Sequence, residues 1–82
     1  MEAFGYDKKD NEYNKIIKLS EVTLDCNKND LDKIIEFLKS VRQDIAEKNV
    51  EDGSHWHYRD YNELWTKQES DFIIYLDNST VE

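Results

Sequence analysis

Two imidazoles, a guanidinium, a carboxylate and three large aromatic rings fall within the single run Ser54-His55-Trp56-His57-Tyr58-Arg59-Asp60-Tyr61. Three kinds of chemistry could use such a run. An imidazole beside a carboxylate can take or release a proton near neutral pH, which is general acid–base work. Two imidazoles two positions apart on a strand lie roughly 6.5–7 Å apart along it and can share a zinc ion, provided a third and usually a fourth ligand arrive. Aromatic rings accompanied by an arginine are the side chains that anchor protein interfaces.

The residues favour the third use. A catalytic pair needs a deep pocket, and a chain of 82 residues has little interior in which to shape one. For a metal, Cys26, Asp60 and Asp77 are the available extra ligands, but no Cys/His pair at ligand spacing accompanies His55 and His57. No catalytic motif stands elsewhere in the chain, so the expectation is a non-enzymatic protein without metal or cofactor. Read as a strand over residues 54–61, the run places His55, His57 and Arg59 on one face and Trp56, Tyr58 and Asp60 on the other. Either Trp56 and Tyr58 pack inward and the histidine face recognises a partner, or the histidines are only cross-strand neighbours of polar residues; both remain open at this level.

The elements that would hold this run follow from periodicity. From Lys15 to Cys26 a β-branched, alternating pattern predicts a long strand whose phase shifts near Ser20-Glu21, where a bulge or bend is needed if every apolar residue is to face the core. Cys26 closes that strand as a small packed hydrophobe. Asn27 to Asp30 form a turn, with Asn29 as N-cap and Asp32 three residues on. Leu31, Ile34, Ile35, Leu38, Val41 and Ile45 recur at helical spacing with Phe37 on the flank, which predicts an amphipathic helix from about Asp30 to Glu47. Lys39 and Gln43 are expected to pair on its outer face. Asn62 to Ser70 reads as a turn or loop anchored by Leu64 and Trp65. A second strand is predicted over Asp71–Asp77, with Phe72, Ile74 and Leu76 toward the helix and Ile73 and Tyr75 on the open side beside the histidines.

Strand, helix, strand, strand make an α+β domain: one amphipathic helix over one face of a small, largely antiparallel sheet of three or four strands. Residues 1–14, polar apart from Phe4, Tyr6 and Tyr13, read as a loosely ordered arm, and 15–82 as a single domain. One helix covers one sheet face, so the other must be solvated, covered by the arm, or used against a partner.

Charge narrows the partner. The formal net charge is −8 with a pI near 4.6. Residues 1–42 carry nine acids against eight bases, and residues 43–82 ten against three, so the excess lies in the half that holds the aromatic–histidine run. Nucleic acid and anionic membrane surfaces, which demand clustered Lys and Arg, are therefore disfavoured, and a cationic protein is the natural partner. A single cysteine and the lack of an N-terminal apolar segment point to a reducing cytoplasm.

The layout, Glu21-Val22-Thr23-Leu24, then the helix, then His55-Trp56-His57, then Asp71-Phe72-Ile73-Ile74, resembles the immunity protein 32 family of bacterial polymorphic toxin systems over roughly residues 15–77. The resemblance implies a cytoplasmic antitoxin that binds and blocks a cognate toxin domain, with no cofactor and no turnover, and it carries over no catalytic residues. On this reading His55, Trp56, His57, Tyr58, Arg59, Tyr61 and Trp65 are anchors, and Asp60, Glu63, Glu51 and Asp52 steering charges. Two alternatives come from the residues alone: a homodimer formed through exposed strand edges, and a small metal-binding protein using His55 and His57.

Overall fold

Asn27 fixes where the long helix starts. Its backbone is extended (φ −86°, ψ 179°) and its side-chain oxygen accepts the Asp30 N–H at 2.8 Å, satisfying one of the donors that a first turn leaves without a partner. The computed structural model describes residues 1–6, 16–62, 64 and 70–77. Over these the chain runs β1 (Ala3–Tyr6), β2 (Ile16–Leu19), α1 (Lys28–Glu47), β3 (His55–His57), α2 (Tyr58–Tyr61) and β4 (Ile73–Tyr75). The cap is thus Asn27 and not Asn29. The earlier start brings Lys28 and Asp32 into an i, i+4 pair at 3.1 Å, and it puts Asp30 in the first turn at the positive end of the helix dipole. Farther along, Lys39 meets Glu36 at 3.8 Å and Gln43 donates to Glu47 at 3.0 Å, so the expected Lys39–Gln43 pair is replaced by two others.

The helix buries a narrower face than its periodicity predicts. Ile34, Phe37 and Val41 are buried, and Phe37, expected on the flank, sits at the centre with 2% of its surface exposed. Leu31, Ile35, Leu38 and Ile45 remain between 38% and 47% exposed. The seam is turned toward Phe37 because the rings it packs on all lie on that side. Tyr58 meets it edge-on at 5.4 Å, Tyr61 lies at 5.7 Å and Phe72 at 6.2 Å. Each such pair adds about 0.5–1.5 kcal/mol beyond the area it removes from water. Trp56, Phe72 and Ile74 pack around this cluster.

The α+β class with antiparallel pairing is as expected, but the strands are divided between two sheets of two strands each, β1–β2 and β3–β4. Within the N-terminal stretch, β1 pairs with β2 so that Ala3 lies opposite Leu19 and Tyr6 opposite Ile16. The predicted strand over 15–26 ends at Leu19. A bend does occur at Ser20, where the apolar phase shifts, but the residues from Glu21 to Asn27 form no strand beyond it. Val22 and Leu24 are consequently exposed.

The turn ahead of β3 depends on Gly53, whose φ of 88° lies in the left-handed region that side chains disfavour. Ser54 N–H donates to Glu51 O at 3.2 Å across this turn. Gly53 N–H also donates to Leu76 O, and Leu76 N–H to Ser54 O, both at 2.9 Å, which extends the ladder beyond β4. The predicted second strand keeps its place but contracts to three residues, with Phe72, Ile74 and Leu76 all half-buried as anticipated.

The two candidate caps separate cleanly by experiment. Asn27→Ala should lower the unfolding free energy by about 1 kcal/mol in urea denaturation. Asn29→Ala, at an exposed position inside the first turn, should leave it within about 0.5 kcal/mol.

Candidate functional site

The register of β3 and β4 sorts the aromatic–histidine run. Trp56 lies opposite Ile74, and both pack on the core; His55 lies opposite Tyr75 and His57 opposite Ile73, and these four share the outer face. Tyr75 is 66% exposed and Ile73 48%. The two imidazoles stand edge to face at 5.2 Å. This is the open side anticipated from alternation, with Trp56 turned inward.

Alternation ends at His57. The chain does not continue as a strand to Tyr61 but turns into α2, and the cause is Asp71. Tyr58 N–H makes the last ladder bond to Phe72 O at 2.7 Å. Beyond it, Asp71 Oδ1 accepts the Arg59 N–H at 3.0 Å and the Phe72 N–H at 2.9 Å, while Oδ2 lies 2.6 Å from His57 Nδ1. His57, in the N-cap position of α2, offers no side-chain cap, so this carboxylate from another segment takes its place. Asn62 N–H closes the turn on Tyr58 O, and its amide donates to the Tyr58 hydroxyl at 3.0 Å. The carboxylate beside the histidines is therefore Asp71, not Asp60 or Asp77. The pair has the spacing of an acid–base dyad, yet both Asp71 oxygens serve as a clasp joining β3, α2 and β4.

Tyr58 lies in the core on the inward side where alternation placed it with Trp56, and it is fully buried; this takes it out of any contact surface. Arg59 is half-buried and leaves the His55–His57 face on which alternation placed it. Asp60 and Tyr61 are exposed, as are Glu51 and Asp52 at the turn before β3. Glu63 and Trp65 lie outside the described residues, and most of the Asn62–Ser70 turn with them.

Two depressions flank Trp56. One, of about 280 Å3, is bounded by Phe37, Ser40 and Val41 of α1, by β3, and by Asp60 and Tyr61 of α2. The other, of about 490 Å3, lies between the end of α1 and the turn before β3, and Asp44, Lys48, Glu51 and His55 line it. The Trp56 indole N–H donates to Asp44 Oδ2 at 3.1 Å, and Asp44 also meets Lys48 at 3.2 Å, so the ring is held upright between the two. Asp44 and Asp71 are the residues that sequence reasoning missed. Asp71 could have been suspected as the acid just ahead of the strand that must pair with the histidines; nothing in the spacing pointed from Asp44 to Trp56. Among the described residues no three His, Cys, Asp or Glu side chains converge as metal ligands, and no helix is long and apolar enough to cross a membrane.

The chain is thus a small α+β scaffold that presents an aromatic–histidine face and a shallow cleft, with Asp44 and Asp71 engaged in holding Trp56 and the β3–α2 corner. The chain belongs to the immunity protein family described as Immunity protein 32, whose family model matches residues 21–78, from the segment ahead of α1 past the end of β4. Comparison with curated proteins and with solved structures found no match.

The clasp makes a pH-dependent contribution. Burial pushes the Asp71 carboxyl up, but the hydrogen bond from His57, the Arg59 amide, the positive charge of His57 and the Phe72 amide together hold it below the ordinary value of 3.8. A carboxylate lowered in the folded state stabilises the fold fully above its ordinary value, and that contribution disappears as the pH falls through the lowered one. Asp71→Ala should cost on the order of 1–3 kcal/mol at neutral pH, since it strands two amides and an imidazole. The difference from the parent should shrink toward zero in urea titrations carried below the ordinary carboxylate range.

Proposed function

We propose that this immunity protein acts as an antitoxin: it binds a cationic toxin domain one to one and blocks it sterically and electrostatically, in the bacterial cytoplasm and without turnover. The observation that carries the reading is the outer face of the β3–β4 hairpin with the cleft beside it. There His55, Tyr75 and Ile73 stand exposed, and Tyr61 and Asp60 complete the surface from α2. Family membership supports a protein partner. The ten acids against three bases over residues 43–82 support a basic one, because opposite fields speed encounter and suppress wrong partners. A free cysteine, half-buried at Cys26, is compatible with a reducing compartment.

The binding residues on this reading are His55, Trp56, His57, Tyr61 and Tyr75, with Asp60, Glu51 and Asp52 as steering charges. His57 has two tasks, since its Nδ1 is held by Asp71, and His57→Ala would loosen the clasp along with any interface. Tyr75 and His55 are cleaner probes. A second reading, self-association, draws on the exposed helix stripe Leu31, Ile35, Leu38 and Ile45 and on strand edges that are unpaired among the described residues.

Co-expression with the toxin domain whose growth arrest the chain relieves tests the first reading. The complex should be one to one by light scattering, and Tyr75→Ala and His55→Ala should each weaken it by more than about 1 kcal/mol if they are anchors. High salt should slow association. A concentration-independent dimer that relieves no toxin would transfer the case to self-association.

A further inference from the structure

The cleft of about 280 Å3 is set apart by its inventory of groups. Rings form much of its wall: Trp56, Tyr61 and Phe37. Ser40 and His57 add polar groups, and Asp60 supplies a carboxylate at an exposed position. Among the described residues, no lysine or arginine lines it and nothing bonds to Asp60. The other nearby carboxylates are engaged, Asp44 by Trp56 and Lys48 and Asp71 by His57 and two amides. His57 is held at Nδ1 by Asp71. Among the described residues the cleft thus offers ring faces and the Asp60 carboxylate, with no lysine or arginine to compete for it. Its volume falls just short of the roughly 300–1,000 Å3 typical for whole small-molecule ligands and suits a single long side chain.

We infer that this cleft is the anchor site for one arginine of the toxin, its guanidinium against the rings of Trp56 and Tyr61 and its charge paired with Asp60. The inference rests on the antitoxin reading above. Arginine fits better than lysine on three counts. Its planar head stacks on aromatic faces, it sheds water more readily than an ammonium, and its fork of donors can grip one carboxylate at two points. A partly desolvated ring wall strengthens each of these contacts relative to a bare acidic surface.

Asp60 makes no bond that the fold needs among the described residues, so Asp60→Asn is a usable variant, with circular dichroism to confirm the fold. The first arm needs no toxin. The labelled protein is titrated with a capped Gly-Arg-Gly peptide, and the Trp56 indole and the Ser40 and Tyr61 amide signals are followed by NMR. Shifts centred on these residues are expected with arginine, absent with citrulline in its place, and lost in Asp60→Asn. Shifts spread over the acidic surface, or unchanged in the variant, would overturn the inference. The second arm measures affinity for the toxin domain, which should fall about tenfold in Asp60→Asn, the size of one good charge-assisted contact. Equal affinity of parent and variant would refute the arginine site while leaving the antitoxin reading intact. Peptide seated in the cleft with no toxin relieved would sustain the site and sink the antitoxin reading.

Discussion

The packing of Phe37 against Tyr58 is the contact on which the described structure depends. Tyr58 is the residue where a strand becomes a helical turn, and its ring meets Phe37 edge-on. Phe37 in turn gathers Tyr61 and Phe72, so one side chain of α1 ties together α2 and the segment leading into β4. Only Ile34, Phe37, Val41 and Tyr58 are buried among the described residues. With so few interior side chains, removing the Phe37 ring would forfeit the roughly 3–5 kcal/mol typical of such truncations, which rivals the whole stability a small core supplies.

Polar groups complete what this small core cannot. Asp71 converts three donors that would compete for water into a fixed corner, and Asp44 holds the Trp56 ring where two depressions meet. A buried or half-buried carboxylate is tolerated when its hydrogen bonds replace those lost to solvent, and Asp71 has three. The acids of the second half are therefore divided in their tasks. Asp44 and Asp71 hold Trp56 and the β3–α2 corner, and others, Asp60 and Glu51 among them, stand at the surface.

The class of the fold and the position of α1 and β4 were legible from periodicity, as was the inward turn of Trp56 with His55 and His57 outward. What was not legible came from interactions distant in sequence. Alternation through Tyr58-Arg59-Asp60 mimics a strand, and only a carboxylate fourteen residues beyond His57 makes a helical turn preferable. The apolar arc of α1 is wide enough to bury either side, so the choice of Phe37 over Leu38 and Ile35 was made by rings on other elements. Asn27 and Asn29 are equally good caps by type, and the backbone of Asn27 decided between them. For the site, the cluster 55–61 was visible as a composition and alternation already set Tyr58 beside Trp56, but the exposure of Asp60 and the half-burial of Arg59 followed from that same unforeseen turn.

The scarcity of buried side chains among the described residues has a consequence for how long the protein persists unbound. A domain of this size seldom holds more than about 3–5 kcal/mol in its core. A partner that binds only the folded form, present at a thousand times its dissociation constant, adds about 4.1 kcal/mol by mass action. Occupancy can therefore roughly double the free energy that separates the native chain from its protease-sensitive forms. Free and occupied copies would then turn over at very different rates, and the cellular pool of the chain would report the presence of its partner through lifetime as much as through synthesis.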